Sequence, residues 1–172
     1  MTESEFWQLV TAQDCSSDSD TLANELTAKL SPLNDDALAA FDKHFNLRMR
    51  DSYTWDLWGA AFVIAGCNSE FAFAEFRCWL ISRGEDIFNL ALKEPDSLSE
   101  LNIGLNKEGL ANPYLDEYDL IAGQIFEDRN DTELPFVPSG QSQPKGKRFK
   151  DKQKALKKSY PKLFQRYWAS QL

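Results

Sequence analysis

Residues Trp55 to Leu98 read WDLWGAAFVIAGCNSEFAFAEFRCWLISRGEDIFNLALKEPDSL, and this stretch decides the fold. It holds three of the five tryptophans and the only long apolar helical pattern. From Trp55 to Ala65 nearly every position is apolar: Trp55, Leu57, Trp58, Ala60, Ala61, Phe62, Val63, Ile64 and Ala65. A helix apolar all round must be buried on most sides. Its length is far short of the ~20 residues that cross a bilayer. A buried strand is the alternative for so short a run, but the Gly59-Ala60-Ala61 step favours helix. Gly66 then offers the left-handed residue that ends a helix.

Asn68 or Ser69 can cap the next helix by accepting from orphan first-turn amides. That helix runs through Phe71, Phe73, Phe76, Cys78, Trp79, Leu80 and Ile81, and Gly84 ends it. Its few polar positions are Glu70, Glu75, Arg77, Ser82 and Arg83. A short third helix, Glu85 to Leu92, is closed by Pro95. Asp96 or Ser97 starts a fourth, with Ser97 and Glu100 in capping-box spacing. Central helices this apolar need other helices around them. The expectation is an all-α, compact single-domain bundle of seven to nine helices around a buried Trp-rich helix pair.

The strings W-D-L-W-G-A-A, G-C, F-R-C-W-L-I-S-R-G and I-F-x-x-A-L-x-x-P-D-S-L all fall in this stretch. With E-F-W near the start and Y-P-K-L-F-Q-R-Y near the end, they resemble a bacterial domain-of-unknown-function family, numbered 4240. The resemblance covers most of the chain and is weak from about Asn102 to Gly146. It implies a compact, mostly helical domain and brings no activity, cofactor or site residue with it.

The flanks carry amphipathic helices. Thr2 and Glu5 form a capping-box pattern before Phe6, Trp7, Leu9 and Val10. Residues 14–20 are a Ser/Asp loop, from which Asp18 caps a helix with Leu22, Leu26 and Leu30 at four-residue spacing. Asn34 caps a third flanking helix with Leu38, Phe41, Phe45 and Met49 on one face, continuing toward Tyr53. After a loop over 102–111, Pro113 is read as a first helical residue. Leu115, Tyr118, Ile121, Ala122, Ile125 and Phe126 follow as its apolar face.

At 172 residues the chain suits one domain with a sizeable core. Three divisions follow: an acidic helical domain over 1–133, a linker over 134–146 with three prolines, and a basic, aromatic tail over 147–172. The tail is read as helical from Lys147 to Lys158 and again from Pro161. Leu163, Phe164, Tyr167 and Trp168 would dock it on the domain. Residues 145–172 carry ten of the 19 Lys and Arg and one of the 27 acidic residues, a balance of +9 that leaves -17 for the first 144. No apolar run follows Met1, so neither a secretory signal nor a membrane span is expected. Cys15, Cys67 and Cys78 show no CxxC spacing and fit a reducing cytoplasm, with Cys67 and Cys78 as core residues.

Catalytic signals are thin. His44 is the only histidine, which excludes a two-His metal site. There is no G-x-S-x-G elbow, P-loop, G-x-G-x-x-G or zinc spacing. No catalytic residue, cofactor or metal ligand is therefore assigned. The candidate site is the polar chemistry inside the apolar centre. Asp56 lies between Trp55 and Leu57, and Arg77 lies between Phe76 and Cys78. Buried charge is costly unless paired. The preferred reading is an Asp56–Arg77 salt bridge locking two helices, with Trp55, Trp58 and Trp79 as core. Breaking a fully buried pair of this kind costs about 3–5 kcal/mol. The sharper reading is a pocket in which Arg77 meets an anionic ligand against Trp55 or Trp58.

The tail could reach phosphates through Lys147, Arg148, Lys150, Lys152, Lys154, Lys157 and Lys158. The acidic body would repel a polyanion, so docking of the tail on that body is preferred. The leading functional class is a non-enzymatic cytoplasmic interaction or regulatory module, inhibitor- or immunity-like, with a basic protein partner. The alternatives are an anionic-ligand protein or enzyme at Asp56/Arg77, and nucleic-acid contact through the tail.

Overall fold

The computed structural model describes residues 1–13, 18–138 and 140–168. Cys15 and most of the 14–20 loop lie outside the described residues, as do Ser139 of the linker and the last four residues of the tail. The described residues contain nine α-helices and two 3₁₀ helices, with isolated bridges in place of strands. The chain is all-α. The α-helices are α1 (Glu3–Val10), α2 (Ser19–Leu30), α3 (Asp35–Asp51), α4 (Trp55–Ala65), α5 (Glu70–Ser82), α6 (Glu85–Lys93), α7 (Ile121–Asn130), α8 (Gln153–Ser159) and α9 (Pro161–Tyr167).

Helices start where the sequence supplies an acceptor. Thr2 and Glu5 form a reciprocal capping box, and Asp18, Asn34, Thr54 and Ser69 accept from Thr21, Ala37, Leu57 and Ala72 amides. Each such cap is worth about 1 kcal/mol. Gly66 ends α4 at φ 66°, in the left-handed region. Residues 95–100 form a 3₁₀ helix. Their Asp96 carboxylate accepts from the Lys162 and Leu163 amides at 3.1 and 2.9 Å, so it caps α9 across the molecule.

α4 occupies the centre. Leu57, Gly59, Ala60, Ala61, Val63 and Ile64 are all buried. α5 follows at 93° to it and buries Phe73, Phe76, Arg77, Cys78, Trp79, Leu80 and Ile81. No single helix among the described residues is long and apolar enough to cross a membrane. α3 packs on α5 and α7, and α1 packs on α2 and α3. α9 and the 95–100 turn lie on α4, with Leu163 fully buried and Tyr160 nearly so.

Three elements differ from the sequence expectation. The Ser97–Glu100 capping box does not form, because the 3₁₀ helix already begins at Pro95, ahead of Ser97, and has no side-chain cap. Pro113 does not start a helix. The Leu115 amide donates to the Glu75 carbonyl, Glu117 takes φ 55°, and helix begins only with a 3₁₀ turn at Tyr118–Leu120 leading into α7. The basic run is helical only from Gln153. Gly146 turns at φ 88°, and Phe149 is drawn onto Trp55 and Phe62, so residues 147–152 form an extended strap. Lys145 anchors that strap, since its amide donates to the Tyr53 carbonyl and its carbonyl accepts from the Trp55 amide, each at 2.9 Å.

Gly59 is fixed by packing. A Cβ there would meet the Tyr160 hydroxyl at 2.1 Å and its ring at 2.7 Å. The same hydroxyl donates to the Asp56 carbonyl at 2.8 Å. Gly59→Ala therefore destabilises the chain by about 1–3 kcal/mol through overpacking. In a Tyr160→Ala background the same change costs much less, and urea unfolding of the two single variants and the double variant measures that coupling.

Candidate functional site

The aromatic residues around α4 form a stack. The Trp55 and Trp58 rings lie 5.0 Å apart at 13°, and Trp58 and Phe73 lie 4.7 Å apart at 16°. Phe73 stacks in turn on Tyr53 at 6.2 Å. The Trp58 indole N–H donates to the Cys67 carbonyl at 3.1 Å, which fixes the ring. Arg77 closes the far end, with its guanidinium carbon 4.7 Å from the Tyr53 centroid and 4.8 Å from that of Phe73.

Arg77 is 8% exposed, but Asp56 is not its partner. Among the described residues no Asp56–Arg77 bridge occurs. Asp56 is exposed in the first turn of α4, where a negative charge favours the helix dipole. Arg77 instead donates Nη1–H to the Met49 carbonyl at 2.7 Å and Nε–H to the Phe73 carbonyl at 3.3 Å. Met49 lies in the last turn of α3, so the partly negative helix end stands in for a carboxylate. Burial is the largest influence on Arg77 and lowers its pKa. Trp79 lies elsewhere, lining a separate cleft of about 360 Å³ with Asp18, Leu22 and Tyr114, under the Arg83 guanidinium. The structure therefore groups Trp55, Trp58 and Arg77 along one stack and leaves Asp56 and Trp79 outside it.

The outer end of the stack opens into a cleft of about 590 Å³ between α4, the start of α5 and the strap. Its apolar wall is Trp55, Trp58, Phe62 and Phe149, and Arg148, Lys150 and Lys152 lie along the strap side. The Arg148 guanidinium sits 5.3 Å from the Trp55 ring centroid. Asn68, Glu70 and Asp151 complete the lining, and the Tyr53 hydroxyl donates to the Glu70 carboxylate at 2.9 Å. Sequence reasoning missed Phe62 and Phe149. A lone aromatic in the run Lys147-Arg148-Phe149-Lys150, directly after a glycine, is the signal that marks such an anchor.

A second feature lies between α3, α7 and residues 133–137, a groove of about 430 Å³. Asp42, Asp119, Glu127 and Glu133 line it beside Leu120 and Phe136. Burial raises the Asp42 and Asp119 carboxyls, and charge repulsion adds to it, Asp119 acting on Asp42 and Asp116 acting on Asp119. Glu75 is raised by burial and by Asp116. Phe136 is 87% exposed and Leu120 is 48% exposed.

The remaining reactive side chains are packed. Burial pushes the Cys67 thiol up to about 12 and raises the Cys78 thiol as well. His44 stacks on Phe6 at 5.4 Å, and its Nε2 lies 3.2 Å from the Met1 carbonyl. Among the described residues no group of three or more His, Cys, Asp or Glu side chains is placed to hold a metal ion.

With this geometry in hand, a family model described as protein of unknown function (DUF4240) matches residues 1–128. The chain belongs to this family. The matched DUF4240 residues include the Trp55–Trp58–Phe73 stack, Arg77 and most of α7. The strap, α8 and α9 lie beyond them, and so does the terminal Y-P-K-L-F-Q-R-Y string. No curated protein and no solved structure matches the chain.

Because Arg77 is held by carbonyls and rings, Arg77→Ala costs about 2–4 kcal/mol by removing its charge-assisted bond to the Met49 carbonyl and the ring contacts, and by leaving a void where the buried side chain packed. Asp56→Ala costs no more than about 1 kcal/mol, the worth of a first-turn charge. In a double-mutant cycle read by urea unfolding, the two changes add to within about 0.5 kcal/mol. A direct ion pair would instead give a clear coupling.

Proposed function

We propose that the chain is a non-enzymatic binding module whose acidic face receives a basic protein segment. The observation that carries this reading is the α3–α7 groove, where four carboxylates line one wall beside two exposed apolar side chains and burial, the largest cause, raises two of them, Asp42 and Asp119. Arg77 offsets part of this at Asp119, and Asp42 has no such cation among the described residues. A Lys- or Arg-rich segment supplies cations, and one apolar residue of that segment covers Phe136 and Leu120. Opposite charge also speeds encounter and makes it salt-sensitive. An inhibitor- or immunity-like role toward a basic partner fits this surface, as does the excess of acid over the first 144 residues. Residence in a reducing cytoplasm belongs to the same proposal and is supported by the free, buried thiols of Cys67 and Cys78.

The raised carboxyls give the proposal a pH signature. A group whose pKa is higher folded than unfolded favours the folded state while protonated, and that contribution is lost as pH rises through the folded value. Asp42 and Asp119 therefore cost the free protein stability once they ionise. A basic partner draws both pKa values back down, so binding releases protons and tightens as pH rises from about 4 to 6, through and above the ordinary carboxylate range. Calorimetric titration of the full chain with a Lys/Arg-rich peptide containing one central Leu checks this. Affinity falls by about tenfold or more between low and high salt. The Asp42→Asn/Asp119→Asn variant binds more weakly, loses most of the pH dependence, and melts higher than the parent at neutral pH. Equal binding by parent and variant would rule the groove out.

A further inference from the structure

The geometry of the strap points to a second ligand. We propose that the cleft between α4 and residues 148–152 binds a free nucleoside phosphate. This rests on residues separate from the acidic groove and stands or falls independently of it.

The cleft offers the two things such a ligand needs. The first is a ring-binding wall. Trp55 is backed by Trp58 and Phe73 in a continuous stack, so its ring is held in place before any ligand arrives. Phe149 meets Trp55 edge-on at 6.3 Å and Phe62 at 5.4 Å, setting a second aromatic surface at an angle to the first. Trp55, Phe62 and Phe149 are each only partly buried, which leaves ring surface open to the cleft. Stacking of a base on an aromatic side chain tolerates any base, because every base has a π-face.

The second is positive charge at one edge. Arg148, Lys150 and Lys152 are exposed, and none of them forms an ion pair among the described residues. The Arg148 guanidinium already sits at the Trp55 ring, and such planes stack on bases as well as on indoles. The ammonium groups of Lys150 and Lys152 suit a phosphate as point charges. Asn68 can pair with a base edge, while Glu70 and Asp151 can accept from ribose hydroxyls. Tyr53 steadies Glu70 through its hydroxyl.

Size and charge favour a single nucleotide over a strand. A volume of about 590 Å³ falls within the range of small-molecule pockets, roughly 300–1,000 Å³. The strap that carries the cations is short, and the first 144 residues carry a balance of -17. A long polyanion leaving the cleft would run along that acidic surface.

The full chain is titrated by calorimetry, and by quenching of tryptophan fluorescence, with ATP, AMP, adenosine, inorganic phosphate and a ten-nucleotide oligothymidylate. ATP and AMP bind saturably at one site and quench fluorescence, while adenosine and phosphate alone bind at least about tenfold more weakly. Lys150→Gln/Lys152→Gln lowers ATP affinity about tenfold or more with an unchanged melting curve, since both side chains are exposed. Phe149→Leu weakens ATP and reduces the quench. Should that variant melt earlier, the lysine pair still carries the test. Three outcomes overturn the proposal: no saturable ATP or AMP signal in the millimolar range, ATP binding unchanged in the lysine variant, or tighter binding of the oligonucleotide than of ATP.

Discussion

A helix with no polar side is the constraint on which the rest of this structure depends. α4 has Asp56 in its first turn and otherwise offers nothing that prefers water. Every direction around it must be occupied by other chain. α5 takes one flank after a sharp bend, and the 95–100 turn and α9 take another. The strap covers the end that holds Trp55. At Gly59 the covering chain comes so close that a single hydrogen is all the helix can present. Local caps set where α1 to α5 begin, but the positions of the helices around α4 follow from what it needs covered.

The same principle explains where charge sits. Arg77 belongs to a helix buried along most of its length, yet it reaches the carbonyl end of α3 and two ring faces. Its Nη1 and Nε are held by the protein itself. Arg148, Lys150 and Lys152 face a wall made of similar rings but are engaged by little else. Two arginines beside aromatic stacks thus differ in chemistry: one is cement, and the other is at the edge of open space.

Much of this was legible in the sequence. Caps at Thr2, Asp18, Asn34 and Ser69, the stop at Gly66 and the apolar run of α4 are local signals, and local physics set them. What was not legible depends on partners far away in the chain. Asp96 has the residue type to start its own helix and caps α9 instead. Pro113 has the residue type of a helix start, but the Leu115 amide was already taken by the Glu75 carbonyl. Asp56 and Arg77 were paired on charge alone, because no periodicity tells a guanidinium that a helix end is nearer than a carboxylate. The strap escaped for the same reason: Lys147–Lys152 carries helical spacing, and Phe149 overrides it.

The hydrogen bond from Tyr160 to Asp56 joins residues 104 positions apart. At an elongation rate of about 5–20 residues per second, α4 is finished roughly 5–20 s before α9 exists. Through that interval the most apolar helix in the chain lacks part of its cover, on the flank where Gly59 exposes backbone. The nascent protein thus has a window in which it resembles a chaperone substrate, and the window closes only when α9 is made. The fold seals its most apolar helix with a segment made about a hundred residues later: a chain cut short after α7 would keep its family core and still display the uncovered side of α4.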